Sequence, residues 1–413
     1  PPPSRKLSLR QLYRHDDKAM TDMLDECLVA WMPGPHSFTG EDIVEFHLHG
    51  GTAIVDGVIT AALDTNLVRL AEPGEFSRRA FENDRLDLTK AEAIADLVDA
   101  ETDAQRRQAF LQYGGHSESI YEEWRLTLIK AMASLEAAID FPDEEDIPDL
   151  VDQRAFKEVT DLRRSISSAL DNASRGMAIR DGYRISIVGS PNAGKSTLLN
   201  AFAGRDAAIV SDIPGTTRDV LEVRLVLGGY VLWLADTAGI RETADSVEAE
   251  GVRRALQKAR DSDMRIFVIG SDQAEWDLSE SQAGDIVVSN KSDISEPQDS
   301  LLRECAERGL RLFRVSAKFD HNLGGLLPFL EKELASRLSQ TSSVLVTRRR
   351  HQSQLLAASG HLQSALDAMT NGFGAELVSE DLRLAARALG RITGRVGVDD
   401  LLDQIFGEFC IGK

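Results

Sequence analysis

The sequence predicts a multidomain protein of mixed α+β and α/β class, in which a mainly parallel α/β domain is inserted into a helical domain and a smaller α+β segment comes first. Three observations carry this reading. The chain has 413 residues, more than one hydrophobic core ordinarily serves, so two or three domains are expected. Long stretches show apolar residues at three- and four-residue spacing, the period of a helix with one face in a core. Between them, from Tyr183 to about Leu338, short apolar strands alternate with helical stretches, the pattern of a parallel sheet with helices on its faces.

Taken in order, the stretch Glu41 to His49 alternates, with Val44, Phe46 and Leu48 facing one way and Glu45, His47 and His49 the other, which predicts a half-buried strand. Gly50-Gly51 then turns the chain into a helix over about 52–63. From Asp87 to about Ala138 the pattern is helical, interrupted only at Gly114-Gly115. The acidic run Asp140 to Asp149, with Pro142 and Pro148, reads as a loop or hinge, and a further helical stretch runs to about Asn172. Strands are predicted at 184–188, 220–227, 231–235, 265–269, 285–288 and 312–315, and helix resumes from about Val346 to Phe409 after a polar linker. The domain boundaries that follow are 1–83 for the N-terminal α+β domain, 84–181 with 339–413 for a discontinuous helical domain, and 182–338 for the inserted α/β domain. The chain opens on Pro-Pro-Pro without an initiator methionine, so its natural start is expected to lie upstream.

Composition bounds the function. Hydrophobic residues make up 42% of the chain and aromatics 6%, and no apolar run approaches a membrane span, which fits a soluble, helix-rich protein. Cys27, Cys305 and Cys410 stand apart without a C-x-x-C pairing, so neither a disulfide framework nor a zinc cage is indicated and a reducing cytoplasm fits best. The formal charge of −20 argues against broad nucleic-acid binding, which draws its affinity from Lys and Arg displacing counterions; contact with RNA must be local or shared with a partner.

The chemistry is concentrated in the α/β domain. Gly189-Ser-Pro-Asn192-Ala193-Gly194-Lys195-Ser196, followed by Thr197, matches G-x-x-x-x-G-K-S and sits between a predicted strand and a predicted helix. Such a loop wraps phosphates in backbone N–H groups, with Lys195 as a point charge and Ser196 as a Mg²⁺ ligand. Asp236-Thr237-Ala238-Gly239 closes the strand 231–235, where an aspartate holds the Mg²⁺ shell and a glycine N–H senses the γ-phosphate. Asn290-Lys291-Ser292-Asp293 ends another strand, and a carboxylate there accepts from N1 and N2 of guanine, donors that adenine lacks. Ser316-Ala317-Lys318 supplies a backbone contact to the base edge. Four short motifs in this order, each at a strand end, predict a Ras-like P-loop GTPase domain of the translation-factor class.

One position departs from the usual GTPase template. Ile240 stands where a water-orienting glutamine ordinarily follows the D-x-x-G glycine, and isoleucine cannot orient water. The following stretch carries Glu242, Asp245 and Glu248, read equally as a source of the missing group and as a solvated loop. Arg218 or Arg241 could act as an arginine finger; alternatively a monovalent cation beside the phosphates could neutralise the charge developing on the β–γ bridge, with the Asn192 side-chain oxygen suited to hold it.

The P-loop, Gly215-Thr216-Thr217-Arg218-Asp219, Asp236-Thr-Ala-Gly-Ile-Arg-Glu242 and the terminal Phe409-Cys410-Ile-Gly-Lys413 together closely resemble the MnmE family, also called TrmE. Ser37-Phe-Thr-Gly-Glu-Asp42, His49-Gly-Gly51, Pro73-Gly-Glu-Phe-Ser77 and Arg79-Ala-Phe-Glu-Asn-Asp-Arg-Leu-Asp87 extend the resemblance over nearly the whole chain. It implies a GTPase activated by K⁺-dependent dimerisation of its G domains. Asn192, Ser211, Ile213 and Thr216 would surround K⁺, Ser196 and Thr217 would ligate Mg²⁺, and Glu248 would orient the attacking water. The nucleotide contacts it implies also include Asp212, Pro214 and Gly215.

The same resemblance implies a homodimer that joins a flavin-dependent partner, MnmG, in a heterotetramer, FAD residing in the partner and tRNA contacted mostly through it. The reaction modifies C5 of the wobble uridine with an aminomethyl-type group. Its one-carbon unit comes from 5,10-methylenetetrahydrofolate, for which 5-formyltetrahydrofolate is an analogue. The folate-binding positions map onto Glu45, Arg85 and Lys413, and a further arginine of the family falls outside this sequence. Cys410 matches the family's C-terminal cysteine, either a participant in the modification or a small packing residue. A metal on Glu45, His47 and His49, and tRNA phosphate on Arg348-Arg-Arg350-His351, are the remaining candidates, each set against a plain surface role. A ribosome-assembly or signalling GTPase without one-carbon chemistry is the alternative that the Ras-like motifs alone would permit.

Overall fold

The structure, a computed structural model, describes residues 2–14, 22–140, 147–204, 222–236, 262–319, 322–339, 344–397, 399–407 and 409. The chain divides into two compact units, one of Pro1–Ala95, Gln112–Leu162 and Ala357–Lys413, the other of Asp96–Leu111 and Arg163–Leu356.

In the first unit β1 (Ser8–Tyr13), β2 (Met23–Met32) and β3 (Ile43–His47) form an antiparallel sheet in the order β1-β2-β3. The register sets Leu9 opposite Leu28 and Ala30 opposite Glu45. Alternation buries Asp25, Cys27 and Val29 on one face of β2. The expected half-burial of the third strand does not hold: Val44 and Phe46 are 49% and 47% exposed, uncovered by the side chains of the described residues. Helix α1 (Thr52–Asp64) follows with no buried residue although it is largely apolar. Helices α2 (Glu75–Glu82) and α3 (Leu88–Asp99) begin the helical part. Helix α5 (His116–Asp140) packs along the helix Ala375–Thr393, and Leu88 and Ala91 form a core with Leu402, Ile405, Phe406 and Phe409 near the chain's end.

The helical stretches are more divided than their periodicity indicates. A break at 100–102 separates α3 from α4 (Asp103–Tyr113), where Thr102 and Gln105 cap the new helix. After residue 346 there are three helices rather than one, Arg349–Thr370, Ala375–Thr393 and Asp399–Gly407, parted at Asn371-Gly372 and at Gly394, where φ is +89°. Helix α6 (Ile147–Asp171) starts inside the expected acidic loop, with Pro148 in its first turn, where no N–H is required.

After α7 (Ala173–Asp181), the second unit is built on a six-stranded sheet of β4 (Tyr183–Val188), β5 (Glu222–Leu227), β6 (Tyr230–Asp236), β7 (Met264–Gly270), β8 (Ile286–Asn290) and β9 (Arg311–Arg314). Their order is β5-β6-β4-β7-β8-β9, antiparallel only between β5 and β6. Both faces are covered, so β7 carries the apolar run Ile266–Ile269: Ile266 and Val268 join a core with Ile187, Leu198 and Leu326, while Phe267 and Ile269 join another with Leu301 and Leu310. From β4 the chain passes first to β6 on one side and then to β7 on the other. The carboxyl end of β4 therefore lies at the point where strand order reverses, the usual crevice for a ligand in open α/β sheets.

Candidate functional site

The loop from Gly189 to Gly194 leaves the end of β4 and enters α8 (Lys195–Ala203). Two glycines make its path possible. A β-carbon on Gly189 would lie 2.1 Å from the Val268 carbonyl oxygen, and Gly194 has φ +93° with the same position 2.1 Å from Asn290 Nδ2. A non-glycine residue sits at φ +62° between them, Asn192, whose amide tolerates this region. Lys195 is 4% exposed, and its ammonium donates to the carbonyl oxygens of Gly189 (2.6 Å) and Ser190 (2.8 Å), so the charge is held at the rim of the loop.

Asn290, at the end of β8, joins three of the sequence motifs. It is 3% exposed; its Nδ2 donates to the Ala193 carbonyl at 2.9 Å, and its Oδ1 accepts the Ala317 N–H at 3.0 Å. The phosphate-type loop, the Asn-Lys-Ser-Asp turn and the Ser-Ala-Lys turn are thus tied through one buried amide. Asp293 is oriented by Ser316, whose hydroxyl donates to Oδ1 at 2.5 Å, and the Ser292 N–H donates to the Val315 carbonyl at 3.0 Å.

Together these segments line a cavity of about 720 Å³ whose walls include Asn192, Lys195, Ser196, Asn290, Asp293 and Lys318. Its lining includes the first residues of α8, where helix dipole and first-turn N–H groups favour an anion. It also includes Asp293, whose carboxylate is an acceptor for a base edge. The volume falls within the range of cofactor-sized pockets. A hydroxyl at Ser196, beside a phosphate-type loop, has the hard-oxygen chemistry that Mg²⁺ takes.

The structure therefore brings together Asn192, Ala193, Gly194, Lys195, Ser196 and Thr197 with Asn290, Lys291, Asp293, Ser316, Ala317 and Lys318. Asp236 ends β6, the strand adjacent to β4. Ser211, Asp212, Ile213, Pro214, Gly215, Thr216, Thr217, Thr237, Ala238, Gly239, Glu248, Cys410 and Lys413 lie outside the described residues, as do Arg218 and Arg241.

Sequence reasoning passed over the loop after β7. Ser271 donates its hydroxyl to the Lys291 carbonyl at 2.7 Å and its N–H to the Asn290 carbonyl at 2.8 Å. Asp272 receives the Lys291 ammonium on both oxygens, at 2.8 and 3.1 Å, and that hydrogen bond holds its carboxyl below the ordinary range. The signal was available: these residues follow the carboxyl end of a strand that must neighbour the one bearing the P-loop.

In the first unit, Glu45 stands on β3 with its carboxylate 3.4 Å from His47 Nε2, and the Arg85 stem lies beside Gly40. No hydrogen bond or ion pair joins Glu45 to Arg85 among the described residues. The motif segments themselves do meet: Asn83 donates to the Thr39 carbonyl at 2.8 Å, and Arg79 pairs with Glu41 at 3.1 Å. Of the two readings of Glu45, His47 and His49, the geometry does not favour the metal, because His49 turns away to Asp25, its Nδ1 lying 2.8 Å from Oδ1. The three side chains do not converge, and no group of three or more His, Cys, Asp or Glu among the described residues could hold a metal ion. In the basic cluster, Arg348 is spent on Asp96 at 2.7 Å and His351 is 1% exposed, so neither faces a phosphate backbone. No helix among the described residues is long and apolar enough to cross a membrane.

Two family models match. One, described as the MnmE helical domain, covers residues 88–410, and the other, described as the N-terminus of the GTP-binding protein TrmE, covers 1–85. The chain is 48% identical over 416 residues to the tRNA modification GTPase MnmE of Caulobacter vibrioides, covering 100% of this chain and 92% of that protein. It is 49% identical over 398 residues to the MnmE of Paramagnetospirillum magneticum, covering 95% and 88%. Among solved structures, the G domain of the T. maritima FeoB iron transporter is 21% identical, covering 38% of this chain and 99% of that one with a TM-score of 0.27.

Proposed function

The chain belongs to the MnmE family of tRNA modification GTPases, and on that premise we propose that its GTP hydrolysis depends on K⁺ and drives a folate-dependent modification of the wobble uridine. The observation that carries the nucleotide half is the Asn290 amide, buried between Ala193 and Ala317, which aligns a phosphate-type loop and a guanine-type acceptor on one cavity. Lys195 exchanges its loop carbonyls for phosphate oxygens, and Asp293 accepts from the guanine edge, excluding adenine. Ser196, with Thr217, holds Mg²⁺, which supplies charge neutralisation between the outer phosphates.

K⁺ takes the place of an arginine finger, held by Asn192, Ser211, Ile213 and Thr216, and Glu248 orients the attacking water in place of the glutamine absent at Ile240. Asn192, exposed on the cavity wall, has the side-chain oxygen this role needs. We assign the domains as 1–83, 84–181 with 339–413, and 182–338. The first, through Glu45 and with Arg85 and Lys413 of the discontinuous helical domain, carries tetrahydrofolate and forms a homodimer; the exposed Val44, Phe46 and Leu67 support an apolar contact there. A flavin-dependent partner, MnmG, completes the reaction in the cytoplasm with tRNA, and Cys410 takes part in the chemistry.

The test is GTP turnover by the purified chain in KCl and in NaCl at equal ionic strength. Marked stimulation by K⁺ is expected. Equal rates would remove the cation mechanism and leave the catalytic positive charge without a source.

A further inference from the structure

We propose that Asp272 is a positioning residue of the nucleotide site, holding the Lys291 side chain along the cavity wall so that its alkyl stem covers one face of the purine whose edge Asp293 reads. This rests on the reading of the cavity as a guanine-nucleotide site.

The argument starts from Lys291 itself. It lines the cavity, yet its backbone adopts φ +62°, a left-handed conformation that costs a non-glycine residue about 1–2 kcal/mol and persists only when neighbouring contacts enforce it. Those contacts are present: the Lys291 carbonyl accepts the Ser271 hydroxyl at 2.7 Å and the Ile294 N–H at 2.9 Å. The backbone of Lys291 is therefore held in place where the residue lines the cavity.

A lysine stem has four rotatable carbons and would sample many rotamers if its ammonium were loose. Asp272 restricts it. The ammonium meets both carboxylate oxygens, at 2.8 and 3.1 Å, while Asp272 is not part of the cavity wall. The charged end is thus drawn to a point off the wall, and the apolar stem remains on it, with the Ile294 side chain as a further apolar lining. The ion pair itself is partly exposed, with side chains 27% and 41% accessible, so it adds little to folding; its effect is on where the stem lies. A planar base needs apolar cover on its faces as well as an acceptor at its edge, and Asp293 supplies only the latter.

The test is equilibrium binding of GDP and of IDP to the full chain carrying Asp272→Ala, Asp272→Asn, Lys291→Ala or Asp272→Ala with Lys291→Ala. Asp272→Ala and Asp272→Asn should each weaken GDP and IDP by the same factor, about three- to tenfold, as the lysine is released. The turnover number at saturating GTP should stay within about twofold, since only face contacts made equally in ground and transition states are lost. In the Lys291→Ala background the second substitution should add nothing. Wild-type affinity in Asp272→Ala or Asp272→Asn, or an additive loss in the double variant, would overturn the proposal. The site reading is tested separately by Asp293→Asn, which should abolish the preference for GDP over ADP; if that preference survives, the guanine assignment fails rather than the role of Asp272. Unchanged thermal unfolding of the Asp272 variants without nucleotide separates positioning from general destabilisation.

Discussion

Replacing Asn290 by alanine isolates the contact on which the nucleotide site depends. The substitution leaves the Ala193 carbonyl and the Ala317 N–H, both on residues less than 10% exposed, without the partners they hold at 2.9 and 3.0 Å. A buried polar group stripped of its partner costs about 1–3 kcal/mol, so two such groups cost roughly 2–4 kcal/mol once partial relaxation is allowed. The penalty falls on the closed arrangement of the two turns, and their opening into water caps it. Converted to affinity, this is a loss of roughly 30- to 800-fold for GDP. Asn290→Asp is nearly isosteric and can still accept from Ala317, but it sets a carboxylate against the Ala193 carbonyl and should fall in the same range. The assay is a GDP titration, with hydrogen exchange followed in the segments 193–198 and 315–318. Exchange should quicken in both segments together. An affinity within about threefold of wild type, with protection unchanged, would mean that the amide merely fills space and that the motifs are aligned by the sheet alone.

Gly194→Ala adds a methyl group 2.1 Å from Asn290 Nδ2 at a backbone φ of +93°, so GDP binding should be lost in a titration; retention would show that the loop has room to shift. Ser316→Ala removes the donor that orients Asp293, and the ratio of GDP to ADP affinity should fall about tenfold while thermal unfolding changes little; an unchanged ratio would show that Asp293 is oriented otherwise. Asp25 accepts the His49 backbone N–H and ring nitrogen, and chiefly the former holds its carboxyl below the ordinary range. A folded-state value below the unfolded one contributes stability that is present above about pH 4 and lost as pH falls through the folded value. Wild type should therefore exceed Asp25→Asn in urea midpoint at pH 7, with the gap closing toward pH 3; a gap independent of pH would rule out the charge.

How much of the site could be read in advance follows from what each feature depends on. The P-loop, Asn290-Lys-Ser-Asp293 and Ser316-Ala-Lys318 were legible because their chemistry demands fixed residue types at fixed short spacing, and each follows a segment readable as a strand. The six strands were legible for a related reason: a sheet covered on both faces needs apolar runs such as Ile266–Ile269. The strand Ser8–Tyr13 carried no such signal, since it mixes Leu with Arg and Gln, whereas Met23–Met32 holds the apolar run Cys27–Met32 and was passed over. Helix breaks at 100–102 and 371–374 were missed because apolar periodicity runs across them; what marks them is Thr102 with Gln105 at the start of α4, and Asn371, which donates to the Asp367 carbonyl, with Gly372 at φ +69°.

The sequence by itself determined that the chain has a P-loop and a guanine-type acceptor, that the fold is mixed α/β with helical parts, and the family to which it belongs. Those properties reside in residue type and local order. Only the tertiary structure decided that Asn290 links Ala193 to Ala317 across 97 and 27 residues of chain, that His49 answers to Asp25 instead of joining Glu45 and His47, and that Arg348 is committed to Asp96. Pairings over such separations are set by strand order and by which buried polar atom lacks a partner. Neither quantity is local in the sequence, because both depend on how distant elements stack around a shared core.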